Sequence, residues 1–430
     1  MSGDPFLQRL SEEHLARCAR SLVNTRRLGP ATPAVLVHDL DALGERVRAL
    51  QAAFPPGTLH AVAVKALPLV EVLRRLVEAG CGLEAASWEE VALARAAGCP
   101  PGRVVYDSPA KTAAQLEGAL AMGARVNADG LQELERIDAL ARAGTPVRSV
   151  GLRINPGVEG GRIAAVSVGG PRSRFGVPLA DGGAAVIDAF RRYPWLDGLH
   201  VHVGSQGMPL RALAAGAARA AALAAEIESN LGPGRVAAVD LGGGLPATYS
   251  AQAPAPGLHA FVEALRAEAP ALLSGRWRLI TELGRALHAP CGWAISRVEY
   301  TRELDGAALA VLHVGADLLL RTAYRPEDWP HEALVLDAGG ELRRDPPRPT
   351  TLAGPLCFAG DIIARERLLP APRAGDLCIL RDTGAYTLSM WSRHCSRGIP
   401  AVWGFERGDW TLLRRGEAPE DVVRFWSRGD

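Results

Sequence analysis

The sequence predicts an α/β fold: a (β/α)8 barrel followed by a C-terminal, mostly β domain. Three observations predict it. Eight short apolar or β-branched runs alternate with helical segments between residues 46 and 290, the order expected of parallel strands returned by helices. From Trp293 onward that alternation stops, and strand-like runs separated by Gly, Pro and Asp replace it. A chain of 430 residues also exceeds one ordinary core. A doubly wound open sheet is the competing architecture, but it rarely needs eight consecutive units.

The expected barrel strands are, in order, LHAVAVKA (59–66), CGLEAAS (81–87), RVVYDS (103–108), ARVNADG (124–130), SVGLRINP (149–156), GLHVHVGS (198–205), AAVDLGGG (237–244) and RLITELGR (278–285). Between them, LVEVLRRLVEAG, SWEEVALARAAG, LQELERIDALARAG and LRALAAGAARAAALAAEIESNL space their apolar residues by three and four, as amphipathic helices do. Several end in glycine, a usual helix stop. The stretch 246–270, rich in Ala and Pro, is the least defined. In the second half WAISRVEYT, GAALAVLHVGA, EALVLD, PTTLAGPLCFAGDIIA, GDLCILRDTGAYTL and PAVWGF read as strands. The expected division is an N-terminal segment (1–45), part of which (PAVLVHDL, 33–40) adds a strand to the β domain, a barrel (46–290) and the β domain (291–430).

Composition narrows the function. Hydrophobic residues make up 48% and charged residues 22%, and the net charge is +1. That balance gives no electrostatic case for nucleic acid or an anionic membrane; pairs such as Arg26-Arg27 and Arg343-Arg344 read as solvated surface. Seven cysteines, odd in number and without a CxxC pair, argue against a disulfide scaffold or structural zinc and for a reducing compartment. No metal site is expected. The N-terminus has acidic residues and no apolar signal core, and no window is long and apolar enough to span a bilayer. The expectation is a soluble, cytoplasmic protein.

Barrel active sites lie at the C-terminal ends of the strands, and there the runs place Lys65, Glu84, Asn127, Arg153, His200, His202, Ser205, Gly242 to Gly244, Glu282 and Arg285. Strand alternation puts Ala61, Ala63 and Lys65 on one face, so the lysine ends an apolar run. A buried lysine loses hydration unless it is paired, neutralised or used covalently. Singly, each residue has a plain explanation: a Lys65–Glu84 salt bridge, hydrogen-bonded core histidines, a tight Gly turn. Together, a lysine, an anion-binding glycine run, an arginine and a carboxylate suit a phosphorylated aldehyde cofactor. Pyridoxal 5′-phosphate (PLP) needs a lysine for its Schiff base, a phosphate cradle and a partner for its pyridine nitrogen.

The motifs AVKA (63–66), LHVHVGSQ (199–206), DLGGG (240–244), ELGR (282–285), GPLCFAGD (354–361) and GAY (384–386) resemble, in order, those of fold-type III PLP-dependent decarboxylases. That family includes diaminopimelate and ornithine/arginine decarboxylases and is related to alanine racemase, so the resemblance implies an alanine-racemase-like (β/α)8 barrel followed by a C-terminal mostly-β domain. The resemblance runs from about Thr32 to Ala401. It implies that Lys65 holds the cofactor covalently, that His202 stacks on its ring, and that Ser205 binds its phosphate. Backbone N–H groups of Gly242, Gly243 and Gly244 would wrap the phosphate, aided by Gly284 and Arg285. Glu282 would bond the ring nitrogen, with Glu84 and Arg153 as supporting groups near the cofactor. Tyr386 would reach the phosphate or the substrate. Cys357 would cross the interface of a homodimer with shared sites and donate a proton, and Arg321 and Tyr324 would contact substrate alongside Arg285. A carboxylate at Glu282, where the racemase branch has arginine, argues for decarboxylation.

The sequence also departs from the family. The acid that follows the cysteine in diaminopimelate and ornithine decarboxylases is Phe358 here, which cannot pair with a distal ammonium. Leu283 replaces the proline of the family's EPGR, LLLRTAY only loosely matches its RPALY segment, and WSRHCSRGIP lets Trp391, Arg393 and His394 reshape the pocket. One account is drift, with Asp361 or another acid supplying the missing charge. The favoured expectation is a specialised decarboxylase, of siderophore or antibiotic assembly, acting on an acylated or carrier-linked amino acid. The alternatives are meso-diaminopimelate decarboxylase of lysine biosynthesis, a PLP-dependent racemase or epimerase, and a non-catalytic PLP-binding regulatory protein.

Overall fold

The computed structural model describes residues 3–304 and 306–428. The chain forms two compact units: one of residues 45–247 and 255–286 together with the chain start up to Leu7, the other of 8–44, 248–254 and 287–430.

Each of the eight expected runs holds one strand of the first unit. The chain's first strand, β1 (Ala34–Asp39), belongs to the second unit; the barrel then takes β2 (Leu59–Ala63), β3 (Gly82–Ala85), β4 (Val104–Tyr106), β5 (Arg125–Ala128) and β6 (Val150–Asn155). A two-residue β7 (Val177–Pro178) pairs beside β6, and β8 (Leu196–Val201), β9 (Ala238–Asp240) and β10 (Arg278–Thr281) complete the set. Neighbouring strands are parallel, and pairing of β5 with β6 and of β2 with β10 closes the ring. Nearly every strand residue is buried. Sheets covered on both faces read this way, as near-continuous apolar runs.

The barrel's interior is layered. Leu59, Ala61, Val105, Ala238 and Ile280 form an apolar layer. Arg125 and Asn127 occupy inward positions opposite Gly151 and Gly198, where an added Cβ would collide with their side chains. Arg125 is held by Ser149 Oγ (2.6 Å) and Asp197 (3.1 Å). The returning helices begin where the sequence offers caps. Ser87 Oγ accepts the Glu90 amide ahead of helix Trp88–Ala96, and Thr112 and Gln115 form a capping box ahead of Ala113–Met122, which stops at Gly123 with φ 84°. The ill-defined stretch 246–270 contains a helix, Leu258–Glu268.

In the second unit β1 runs antiparallel to β11 (Gly292–Leu304) and parallel to β17 (Ala401–Glu406). The remaining strands are β12 (Ala307–Leu312), β13 (Ala333–Leu336), β14 (Pro347–Ala353), β15 (Ile362–Pro370), β16 (Leu377–Leu380) and β18 (Asp409–Arg414). The helix Glu12–Asn24, capped by Ser11, buries Leu15, Cys18, Ala19 and Leu22 against Val35, Val37, Trp293 and Ile379. The run GDLCILRDTGAYTL is strand only over Leu377–Leu380 and then leaves the sheet. Gly384 lies against the backbone of His288 and Gly292, a closeness only glycine permits.

Candidate active site

The polar groups of the barrel gather beyond the C-terminal ends of its strands. Lys65 lies just past β2, in a single 3-10 turn (Val64–Ala66) rather than on the strand itself. Its side chain is 37% exposed, and its ammonium lies 2.5 Å from Oε2 of Glu84, which is wholly buried on β3. The expected ion pair therefore exists, with more than a third of the lysine side chain exposed.

Around this pair the sheet register brings in further acids. Asp240, at the end of β9, accepts from Asn127 Nδ2 and from the Gly242 amide, both at 3.0 Å. Glu282, one residue past β10, is fixed by its amide to Gly242 O at 2.7 Å, and His200 Nε2 stands 3.7 Å from its Oε2. Burial first, then Asp240 and Asp107, push the Glu282 carboxyl well above its ordinary range. Burial and then Asp107 do the same to Glu84, against the pull of Lys65. His200 and His202 are held neutral by burial and by the Arg153 charge, His202 down to about 3. Arg153 itself is buried, 3.3 Å from Asp129 and stacked over Phe175.

These residues fit the ring of PLP. Glu282 Oε1 is buried without a hydrogen-bond partner among the described residues, and a protonated ring nitrogen would supply one. His202 Nδ1 accepts the Gly243 amide at 3.0 Å, which fixes a neutral imidazole beside the glycine run. In the glycine run, the Gly242 and Gly243 amides donate to Asp240 Oδ1 and His202 Nδ1. Gly244, part-exposed with φ 122°, has no hydrogen bond on its amide among the described residues, and Arg285 Nε donates to Ser205 Oγ at 3.2 Å. At Gly243 an added Cβ would lie 2.6 Å from Glu282 O. Gly284 is buried beside Arg285.

The other expected site residues lie in the β unit. Tyr386, at φ 56°, sits under the Arg321 guanidinium, which also covers Trp329. Tyr324 is exposed and stacks on Phe358 (centroids 5.9 Å apart), and His394 approaches Phe358 edge-on. Cys357 presents an exposed thiol. Asp361 departs from its expected substrate role. It is buried, and its two carboxylate oxygens accept the amides of Ala316 (2.6 Å) and Leu356 (2.7 Å), so it fastens the 354–361 loop.

Asp107 escaped the sequence reading. It lies one residue past β4, nine-tenths buried, and Asp107, His200 and Glu282 each bring an atom within 4.8 Å of the others. Strand alternation could have found it, since Val105 and Asp107 share the inward face.

Comparison with known proteins accords with this geometry. Residues 40–289 match the family described as pyridoxal-dependent decarboxylase, pyridoxal binding domain. Diaminopimelate decarboxylase of Zymomonas mobilis subsp. mobilis is 30% identical over 402 residues, covering 90% of this chain and 91% of that protein. That of Actinosynnema pretiosum subsp. auranticum is 33% identical over 397 residues, covering 90% and 87%. The structure of diaminopimelate decarboxylase from M. jannaschii in co-complex with L-lysine shares the fold, with a TM-score of 0.84 at 23% identity over 95% of this chain and 94% of that one. The match to that family over more than half of the chain, and 30–33% identity with these relatives across nine-tenths of it, place this chain among the pyridoxal-dependent decarboxylases: it is a PLP-dependent amino-acid carboxy-lyase.

Proposed function

We propose that this enzyme decarboxylates a diamino acid of the diaminopimelate class, meso-diaminopimelate first among them, with Lys65 as the cofactor's point of attachment. The observation that carries this reading is the run of curated relatives bearing that name, 30–33% identical over about nine-tenths of the chain. Bound PLP supplies an aldehyde for the amine and a ring that accepts electrons as carbon dioxide leaves. The chain's own residues do the rest. Glu282 Oε1 would hold a proton at the ring nitrogen; His202, kept neutral, would lie against the ring; Gly244, Ser205 and Arg285 would anchor the phosphate, with Tyr386 as a further candidate. Arg153 and Glu84 would support the ring's surroundings. Lys65 Nζ would hold the cofactor and serve as the chain's base.

The exposed Cys357 thiol is the proton donor in this reading, delivered by a second copy of the chain in a homodimer. Mixing inactive Lys65→Ala and Cys357→Ala chains should then restore activity that neither has alone; no recovery would remove the shared site. We place the enzyme in a reducing, cytoplasmic setting, in keeping with seven free thiols. No helix among the described residues is long and apolar enough to cross a membrane.

One observation favours a second reading. Phe358, stacked on Tyr324 and flanked by His394, presents aromatic surface where a diamino acid needs an acid, and Asp361 is committed to backbone amides. That surface suits a far end that is acylated, apolar or carried on another molecule, as in specialised biosynthesis, with Arg321 as a further contact. Carbon dioxide release from meso-diaminopimelate, N-acylated diamino acids and carrier-linked amino acids decides between them. Strong turnover of free meso-diaminopimelate supports the first reading, and turnover confined to conjugates supports the second.

A further inference from the structure

We propose that Asp107 is a positioning residue whose carboxylate shares a single proton with Glu84, so that the pair keeps one fixed negative charge beside Lys65. The proposal rests on Lys65 being the cofactor's point of attachment. Its basis is the register of the barrel. Strands β3 and β4 are parallel, with Glu84 opposite Val105, and the Asp107 amide continues the ladder to Ala85 O at 3.1 Å. Two residues beyond Val105 on the same inward face, the Asp107 side chain comes within hydrogen-bond reach of Glu84.

Both groups are more than nine-tenths buried, and among the described residues no amide, hydroxyl or basic donor reaches Glu84 Oε1 or Asp107 Oδ1. Two facing carboxylates at such a distance cannot both be ionised away from water. One proton between them resolves both orphaned oxygens at once: the Glu84 hydroxyl donates and Asp107 accepts. The surroundings decide which acid keeps it. Asp107 faces Lys65 and Arg153; burial works against its charge, but Lys65, the Glu84 hydrogen bond and Arg153 outweigh burial and hold it below the ordinary range. Glu84 is pushed the other way by burial and by Asp107 itself. Glu90, on the helix after β3, and Glu282 across the barrel also lie near the pair, and burial, with Asp107 among the further causes, pushes both of their carboxyls up.

A pair that shares a proton titrates in two widely separated steps, and between them its net charge does not change. Lys65 therefore meets the same single negative charge over a broad pH range. A lone buried glutamate would gain and lose that charge within it.

The test is the visible absorbance of the PLP-loaded enzyme as a function of pH, a property of the nitrogen at Lys65 rather than of turnover. In Asp107→Asn the only counter-charge is on Glu84, and the absorbance transition should move by at least about one pH unit. Asp107→Glu should restore the native profile. Glu84→Gln leaves the charge on Asp107 and should keep a profile nearer to native than Asp107→Asn does. Infrared spectra of the apoprotein give a cofactor-free check: the protonated carboxyl band at neutral pH, to which Glu282 also contributes, should lose its Glu84 component in Glu84→Gln and weaken in Asp107→Asn. If the Asp107→Asn profile superimposes on the native one, or the apoprotein band survives Glu84→Gln unchanged, the shared proton is wrong. Borohydride reduction followed by peptide mapping tests attachment at Lys65 by itself, so failure there is distinct from failure at Asp107.

Discussion

Lys65 meets Glu84 at 2.5 Å yet keeps more than a third of its side chain open, as the proposed attachment of a cofactor at its nitrogen requires. Lys65→Ala should lower carbon dioxide release by at least about a thousandfold, because a covalent step and a base vanish together. The purified variant should also lack the visible band of lysine-bound cofactor; a band that persists would place the attachment elsewhere. Glu282→Gln removes the acid proposed to hold a proton at the ring nitrogen. It should keep its cofactor but slow on the order of a hundredfold or more, the usual effect of losing one electrostatic partner of developing charge. Measured cofactor content against kcat checks this, and near-native kcat would refute it. Membership of a decarboxylase family sets aside the racemase and the non-catalytic readings.

At the scale of single elements, the loop after β9 and the 354–361 loop are shaped by backbone, not by side chains reaching outward. In the first, a Cβ at Gly243 would press on the carbonyl of Glu282 from 2.6 Å. Overpacking of this kind costs about 1–3 kcal/mol, so Gly243→Ala should weaken PLP binding roughly tenfold or more while the far-ultraviolet spectrum stays native. An equilibrium titration of the apoprotein measures it. In the second loop, Asp361→Ala strands the amides of Ala316 and Leu356 and should cost on the order of 2–3 kcal/mol in urea unfolding, with Asp361→Asn recovering part. Both loops show where sequence reading stops. DLGGG announces a glycine turn, but which amides the turn consumes depends on Asp240 and His202 arriving from the ends of neighbouring strands. Likewise an aspartate near a substrate motif reads as a ligand until the fold turns it onto two amides.

Across the whole molecule, burial sets how stability follows pH. His60 in the barrel unit, bonded to Thr281 Oγ1 at 2.9 Å, and His288 in the β unit, beside His38, are each pushed down to about 4 by burial. The unfolded chain takes up a proton on each as pH falls through about 6.5, and the folded chain does so only near 4. Stability is therefore complete above the upper value and declines as pH falls between the two, by on the order of 3 kcal/mol per histidine. The raised acids Glu84 and Glu282 have the opposite sign, since the folded chain keeps their protons as pH rises past their ordinary range. Comparing urea midpoints of the native protein and His60→Gln at pH 7 and pH 5 isolates one histidine. The native protein should lose more stability than the variant, and equal losses would show His60 titrating normally.

The succession of eight apolar runs, each followed by a helix with a recognisable stop, is a local pattern, and it was enough to determine the barrel, the strand that β1 adds to the second unit, and the positions of Lys65, Glu84, His202 and Glu282 at strand ends. The helix Glu12–Asn24 and strand Asp409–Arg414 went unassigned, though the helix has an ordinary cap and an apolar face. What only the tertiary structure decided is which polar atoms face one another. The proton between Glu84 and Asp107, the amides consumed by the glycine turn and the fastening of Asp361 all arise between residues far apart in sequence. Local periodicity carries information about a residue's own face, whereas hydrogen-bond partnership and charge state depend on what the closed sheet brings opposite it.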